Sequence, residues 1–440
     1  MRIQQGKIAV LHHLGGGNLG DEAELESVIQ NVRKRWPDSE IHAFTMNPED
    51  TRRRYGIPAF PIRCHTWSSG YLQADERTSR TRKGVAAWLA STQSSIVRKP
   101  RALLREAAFL LQMMKTIRNY DHFIVSGGGQ LTGRSGPWSF PFGIFLWISA
   151  AKLAGLRRII LNIGVGPLNS NLVKFFSINS LRAANYVSFR DAGSEALARR
   201  EGFSGTGPVF PDNAYLLDIP ESVNCGMARA RPVVGIAPMP YPFCDPHEIA
   251  SGHQQIYEDC IGKFAAFASR LTELSFNIEL FGSDVGVDPR AIEDVRIQLL
   301  ERYKIRLASY RPDGALHEFL SRAVNLDYVI TCRFHGVVLA HLLNKPVIAL
   351  AHHPKVTAAM ADLGLSEYCF DIANFSANQL TDAFDSMVSR NVEIKKRMEA
   401  SLKGFRAQLS AQFDELFPPD QTEMTGLALF EEAREVGRIQ

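Results

Sequence analysis

The chain has 440 residues, which is too long for one ordinary hydrophobic core, so we expect two domains. Hydrophobic residues make up 45% of the chain and charged residues 22%, a balance that is typical of globular proteins and excludes a largely disordered one. The net charge of +4 is small for this length, so the overall charge does not indicate a nucleic-acid-binding protein.

The sequence shows no signal for secretion or for membrane insertion. The apolar run in residues 1–10 is too short for a signal peptide and is soon interrupted by the glycines at 15–17. The most apolar window, residues 142–156, contains Lys152 and predicts a buried helix rather than a membrane span. The cysteines have neither a Cys-x-x-Cys pair nor metal-ligand spacing. We therefore expect a cytoplasmic protein with free thiols.

The first half of the chain alternates strand-like and helical patterns. Strands are predicted at residues 7–11, 40–44, 122–125, 159–163, 186–189 and 209–210, and helices at 21–35 and 147–156. This alternation is typical of a parallel sheet that is covered by helices on both faces. It predicts an N-terminal Rossmann-like domain over residues 1–220.

The pattern breaks at residues 218–232, where prolines and a glycine predict a linker, and then restarts. Strands are predicted at 233–237, 277–281, 327–330 and 347–350, and helices at 257–274 and 291–303. A second Rossmann-like domain over residues 230–375 would therefore face the first across a cleft. The remainder, residues 376–440, is predicted to be a helical tail that packs back across the domains.

A basic insertion at about residues 60–118 departs from this α/β scheme. Between Arg77 and Arg118 there are ten Lys or Arg residues against one acid, Glu106. An apolar stripe at helical spacing predicts an amphipathic helix, and its members are Leu103, Ala107, Leu110, Met114 and Ile117. The stripe could pack on the N-terminal domain while the bases face water. Alternatively, residues 77–118 could contact anionic lipid at the inner face of the membrane, or a lipid-linked acceptor.

Residues 331–336 join a predicted strand to a predicted helix. Free N–H groups at a helix start favour anions, and here Arg333 and His335 lie beside them. Arg333 offers a planar fork for a carboxylate or phosphate, whereas His335 can exchange a proton near neutral pH. Lys355 follows the next strand and could reach the same pocket. A salt bridge for Arg333 and a packing role for His335 are the alternatives.

Three glycine-rich loops follow strands in the first half, at residues 15–20, 127–129 and 164–166. The loops at the carboxyl ends of parallel strands meet at one edge of the sheet, where ligands bind. In the first loop, Asp21 would repel phosphate and favours a hydroxyl-rich ligand, unless it only caps its helix. An ion pair between Arg190 and Asp212, at later strand ends, could be purely structural.

Taken together, these stretches resemble the polysaccharide pyruvyl transferase family. The resemblance spans about residues 8–370 and rests on Gly17-Asn18-x-Gly20-Asp21, Gly127-Gly128-Gly129, Gly164-Val165-Gly166-Pro167, Ser188-Phe189-Arg190-Asp191, Asp212, Arg333-Phe334-His335-Gly336 and Lys355. It implies a fold similar to glycosyltransferases of the two-Rossmann type. It also implies transfer of pyruvate from phosphoenolpyruvate to two sugar hydroxyls, which forms a ketal on a cell-surface polysaccharide or its lipid-linked precursor.

The resemblance also assigns residues to the two substrates. The donor phosphoenolpyruvate is expected at Arg333, His335, Gly336 and Lys355. The acceptor sugar is expected at Asn18, Gly20, Asp21, Gly128, Gly129, Gln130, Gly164, Gly166 and Arg190. We expect His335 to be the general acid that protonates C3 of the donor, and Asp21 or Asp212 to be the base that accepts the hydroxyl proton.

Two other functions remain open from the sequence. One is a glycosyltransferase that uses a nucleotide sugar, in which Arg333 and Lys355 would hold the diphosphate. The other is a non-catalytic protein that binds glycan within an assembly complex. We expect phosphoenolpyruvate as co-substrate without a further cofactor, and no metal, because no histidine and carboxylate cluster has ligand spacing in the sequence. No particular oligomeric state is predicted.

Overall fold

The chain forms two α/β units, each of which is built on one parallel sheet. The computed structural model describes residues 6–64 without 14 and 16, 105–219 without 107 and 135, 229–242, 253–308 and 315–418. Most of the predicted linker and residues 65–104 of the basic insertion therefore lie outside the described residues. The first sheet lies within residues 7–189 and the second within residues 233–371.

The first sheet has seven strands in the order β3-β2-β1-β4-β6-β5, with β7 also paired to β6. Its strands are β1 (Lys7–Leu11), β2 (Glu40–Thr45), β3 (Ala59–Pro61), β4 (His122–Val125), β5 (Gly128–Leu131), β6 (Arg157–Val165) and β7 (Tyr186–Phe189). The labelled helices around it are α1 (Leu19–Arg35), α2 (Pro48–Tyr55), α3 (Phe140–Leu153), α4 (Asn171–Ala183) and α5 (Ala192–Arg200). The central strands β1, β4 and β6 contain mostly buried, apolar residues because helices cover both faces of the sheet.

The second sheet has five strands in the order β12-β11-β10-β8-β9. Its strands are β8 (Val233–Ala237), β9 (Asn277–Leu280), β10 (Tyr328–Thr331), β11 (Val347–Ala351) and β12 (Cys369–Asp371). Its helices are α6 (His253–Glu273), α7 (Asp288–Tyr303), α8 (Leu316–Ala323), α9 (Phe334–Leu342) and α10 (Pro354–Asp362), followed by α11 (Ala377–Ser389) and α12 (Asn391–Leu416).

Helix α12 crosses from the second unit back to the first. Near its start, the carbonyl of Met398 lies 2.7 Å from Nε2 of His341 in α9. Near its end, Gln412 is buried and exchanges hydrogen bonds of 3.0 and 3.1 Å with Asn162 of β6. The expected packing of the tail across both units is therefore present over α12.

Several predicted elements differ from the structure. The predicted strand at 209–210 is wrong, because Val209 forms only an isolated bridge with Phe189. The glycine-rich tract after β4 is not all loop, since Gly128–Leu131 pairs with β6 as β5. The apolar window at 142–156 belongs to α3, which begins earlier and is buried on one side only, with Leu153 exposed.

The described part of the basic insertion packs on the first unit. Residues 108–117 are helical, and Met113 and Ile117 are buried in the core below the sheet. Leu110 and Met114 pack against the same cluster. Over residues 108–117 the helix therefore packs on the first unit, as the first of the two alternatives for the apolar stripe predicted. None of the described helices is both long and apolar enough to span a membrane.

The polar contacts of Gln412 predict a stability effect. Gln412→Leu should lower the free energy of unfolding by about 1–3 kcal/mol, because it removes two buried hydrogen bonds to the Asn162 amide, which keeps its contacts with Asn213 and Ser188. Urea unfolding followed by circular dichroism measures the change. Gln408→Leu is the matched control, since Gln408 lies one turn earlier on α12 and is exposed. Equal unfolding midpoints for the two variants would contradict a role of this network in holding α12.

Candidate active site

The site lies between the units, where the start of α9 meets the start of α1. His335 is in the first turn of α9, and its Nε2 lies 3.2 Å from Oε1 of Glu24 and 3.7 Å from Oδ2 of Asp212. Burial alone would lower the pKa of His335, but its contacts with Asp212 and Glu24 outweigh burial and raise the pKa to about 9. The ring is therefore protonated at neutral pH and can deliver a proton.

Glu24 is the centre of this cluster and was missed by the sequence analysis. Its side chain is 1% exposed and contacts His335 at 3.2 Å, His12 at 3.2 Å and Arg190 at 3.5 Å. The helical spacing of Gly20 and Glu24 places them on one face of α1, so Glu24 points to the same gap. Glu24 follows Gly20, a residue of the predicted acceptor loop, by four positions. This helical spacing is the sequence signal that could have identified Glu24.

Asp212 is fixed by hydrogen bonds and ion pairs. Its Oδ1 accepts a hydrogen bond from the N–H of Ala214, and its Oδ2 lies 3.3 Å from Nη1 of Arg190. Burial would raise the pKa of Asp212, but the contacts with His335 and Arg190 hold that pKa well below its usual range. Asp212 is therefore a counter-ion for Arg190 and His335 in this structure, and its role as the base stays a prediction.

Asp21 has the opposite electrostatic environment. It is half-buried at the start of α1, and burial raises the pKa of its carboxyl, with Glu24 adding to the increase. His12, Asp21 and Glu24 each offer a ligand atom within 4.8 Å of the others. The two predicted bases therefore differ in direction, since the pKa of Asp21 is raised and that of Asp212 is lowered.

Lys355 and Arg190 flank the ring of Phe334. The Arg190 guanidinium lies 4.7 Å from the ring centroid and the Lys355 ammonium 5.7 Å from it. Burial and the neighbouring cations Arg190 and Arg134 lower the pKa of Lys355 to about 8. Among the described residues no carboxylate forms a salt bridge with Lys355, although the charge of Asp21 partly opposes the fall in its pKa. Arg190 thus lies with the predicted donor residues as well as with the acceptor loops.

Arg333 already has carboxylate partners in the second unit. Its Nε and Nη2 donate to Oδ1 of Asp288 at 3.0 and 2.5 Å, and Nη2 lies 3.8 Å from Asp284. Asp288 is fully buried, and Arg333 partly offsets the rise in its pKa that burial causes. Arg333 therefore forms the salt bridge that was the alternative to anion binding. Its Nε and Nη2 atoms are already hydrogen-bonded to Asp288.

Most of the predicted acceptor glycines make space for the charged cluster. A Cβ on Gly20 would lie 1.9 Å from the His335 ring, and one on Gly128 would lie 2.7 Å from Oε2 of Glu24. A Cβ on Gly164 would lie 2.6 Å from Nη2 of Arg190, and one on Gly129 3.6 Å from it. Gly336 and Gly166 instead lie against the side chains of Thr331 and Thr132. These glycines allow the charged side chains to approach the backbone closely.

The first loop and Gln130 face protein rather than open space. The N–H of Leu19 donates to the carbonyl of Ser283, and that of Val285 donates to Gly17, each at 2.9 Å. Asn18 caps α1 by accepting from the N–H of Gly20 at 3.0 Å. Gln130 is buried, and its Oε1 lies 2.5 Å from Nδ1 of His13. The loop therefore joins the two units, and Gln130 fixes His13 within the first.

The fold assembles ligand-type side chains that the sequence spacing did not indicate. One group is His12, Asp21 and Glu24, and the other is Glu24, Asp212 and His335. The expectation of no metal rested on sequence spacing alone, and it stays a prediction because the fold brings these groups together. Arg190 and the protonated His335 already supply positive charge to Glu24 and Asp212. In this structure the second group forms an ion-pair network with Arg190.

The charge on His335 predicts a pH-dependent stability. Its folded-state pKa of about 9 lies above the ordinary value of 6.5, so this contribution is complete below about pH 6.5 and is lost as the pH rises through about 9. Between these values the wild-type protein should lose up to about 3 kcal/mol more unfolding free energy than His335→Gln, which cannot titrate there. Urea unfolding at several pH values measures this difference. Parallel pH profiles for the two proteins would contradict a raised pKa.

Comparison with known proteins identifies the family and the fold. The model of the polysaccharide pyruvyl transferase family matches residues 18–354. UDP-GlcNAc 2-epimerase from Methanocaldococcus jannaschii superposes with a TM-score of 0.52 at 11% identity, over 87% of this chain and 92% of that chain. Anabaena Alr3699/HepE in complex with UDP gives a TM-score of 0.53 at 12% identity, over 94% of this chain and 100% of that chain. No curated protein matches the sequence.

At these identities the solved structures show the fold alone, and they confirm the predicted α/β class with two Rossmann-like domains facing a cleft. The family match shows more than the fold, because it is a match of sequence over most of the chain. It contains Asp21, Glu24, Asp212 and His335, and it ends one residue before Lys355. The chain therefore belongs to the polysaccharide pyruvyl transferase family.

Proposed function

We propose that the protein transfers pyruvate from phosphoenolpyruvate to two hydroxyls of a sugar and forms a cyclic ketal. The acceptor would be a cell-surface polysaccharide or its lipid-linked precursor. The observation that carries this proposal is the buried ring of His335, held by Glu24 and Asp212 near the cations Lys355 and Arg190. Such a site combines a proton donor with a pocket for a small polyanion.

The donor has a carboxylate and a phosphate a few bonds apart, so it needs several positive groups. Lys355 supplies one of them near Phe334, and Arg190, which also pairs with Glu24 and Asp212, supplies another. The free N–H groups at the start of α9 add a favourable dipole. Arg333 stands at the N-cap of the same helix, where Asp288 fixes its orientation. We assign Arg190 to the donor as well as to the acceptor side.

In the proposed reaction His335 gives its proton to C3 of phosphoenolpyruvate, which becomes the methyl group. The first sugar hydroxyl bonds to C2, and Asp21 accepts its proton. The C2–O bond to phosphate then breaks with its electron pair, and Asp21 returns its proton to the phosphate. The second hydroxyl captures the resulting oxocarbenium ion, and His335 recovers a proton from it.

The rival function is transfer from a nucleotide sugar. It is raised by the similar folds of UDP-GlcNAc 2-epimerase and of Alr3699/HepE in complex with UDP. Calorimetry separates the two functions, because the proposed function requires binding of phosphoenolpyruvate and release of inorganic phosphate when a glycan acceptor is added. Tight binding of UDP without detectable binding of phosphoenolpyruvate would favour the rival. Donor binding without phosphate release on any acceptor would favour a non-catalytic glycan-binding protein.

His335→Gln should lower turnover by about 100-fold or more while the protein remains folded, because glutamine cannot donate the proton to C3. Phosphate release at saturating donor and acceptor measures the change. His317→Gln is the matched control, since His317 of α8 contacts Glu26 of α1 at 3.1 Å across the same interface. Turnover close to wild type in His335→Gln would exclude His335 as the acid.

Lys355→Met should weaken phosphoenolpyruvate binding by about 10- to 100-fold, because it removes an ammonium that forms no salt bridge with a carboxylate among the described residues. The dissociation constant from calorimetry measures the effect. Lys403→Met, on the exposed side of α12, controls for the loss of one surface charge. An unchanged dissociation constant in Lys355→Met would place the donor elsewhere.

A further inference from the structure

A cluster of aromatic side chains is exposed at the starts of α3 and α4. We call it the aromatic patch: Trp138, Phe175 and the aliphatic Leu172 are exposed, Phe142 and Phe145 are half-buried, and Phe176 is buried against them. The ring of Trp138 lies 5.1 Å from that of Phe142 and 5.8 Å from that of Phe176, so the rings form one continuous surface. Trp138 is 58% exposed, Phe175 52% and Leu172 45%. A contiguous exposed surface of this kind marks an interaction site.

Basic residues lie beside the patch. Arg134 precedes Trp138 by four residues, and Lys174 lies between Leu172 and Phe175 in the first turn of α4, where it also pairs with Glu201 at 2.6 Å. Beside the patch, the guanidinium of Arg63 lies 5.2 Å from the centroid of the Phe142 ring and donates to the carbonyl of Trp138 at 2.6 Å. A partner of negative charge is therefore favoured.

The patch borders the candidate active site. Helices α3 and α4 follow β5 and β6, so their first turns lie at the carboxyl edge of the first sheet. The ring of Phe140, at the start of α3, lies 4.2 Å from that of His13. His13 is adjacent to His12, which contacts Glu24. A surface that covers the patch would therefore lie next to the gap between the units.

We propose that the aromatic patch docks the protein on an anionic lipid surface. Tryptophan and phenylalanine rings partition into the interface between lipid and water, and neighbouring bases are attracted to anionic headgroups. This docking would present the gap between the units to molecules held in the membrane. The surface differs from residues 77–118, and it goes beyond the proposed transfer reaction.

Flotation of the purified full chain with vesicles tests this docking without donor or acceptor. The protein should bind vesicles of phosphatidylcholine with phosphatidylglycerol more tightly than phosphatidylcholine alone, and added salt should weaken that binding. The double variant Trp138→Ser with Phe175→Ser should reduce the affinity by about tenfold or more. Leu153→Ser is the matched control, because Leu153 is 80% exposed at the far end of α3, and it should bind like wild type.

Three results would overturn the proposal. The first is failure of the wild-type chain to bind anionic vesicles, or equal binding by the double variant. The second is a wild-type oligomer that becomes a monomer in the double variant by light scattering, which would make the patch an interface between copies. The third is a lower melting temperature of the double variant without vesicles, which would show that the protein itself covers the patch. Phosphoenolpyruvate binding is a separate measurement, so failure of the transfer function would be distinguishable.

Discussion

The contact between Glu24 and His335 is the interaction on which the site depends. Both side chains are buried, and a buried carboxylate is costly unless a cation and hydrogen bonds accompany it. Glu24 belongs to the first unit and His335 to the second, so each ion stabilises the other only when the units are together. Pairing of Gly17 with Val285 and contact of His317 with Glu26 flank this ion pair. Docking of the units and protonation of His335 are therefore linked.

The same constraint explains the arrangement of charge around the gap. Asp21, Glu24 and Asp212 lie around His335, and Arg190 pairs with Glu24 and Asp212. Arg190 and Lys355 also both lie near the Phe334 ring, so the network of charges continues to Lys355. Glycine is required beside this network because the charged side chains fill the space that a Cβ would occupy. The glycines of these loops therefore make room for the charged side chains of the protein itself.

The last helix supports this arrangement from a distance. Gln412 of α12 bonds to Asn162, which adopts a positive φ of 42° at the irregular point of β6. Two residues later the strand reaches Gly164, against which the Arg190 guanidinium packs. The N–H of Arg190 also donates to the carbonyl of Ile163 at 3.2 Å. The tail therefore helps to fix the strand end from which Arg190 is positioned.

The sequence by itself determined the two parallel sheets, because strand and helix periodicity is local and the βαβ alternation leaves few topologies. It also located His335, since a strand that runs directly into a helix is a local signal. Only the tertiary structure decided the partners. Glu24 and His335 are 311 residues apart, and no spacing rule connects them. For the same reason the engagement of Arg333 by Asp288 and the inward turn of Gln130 depended on packing between distant segments.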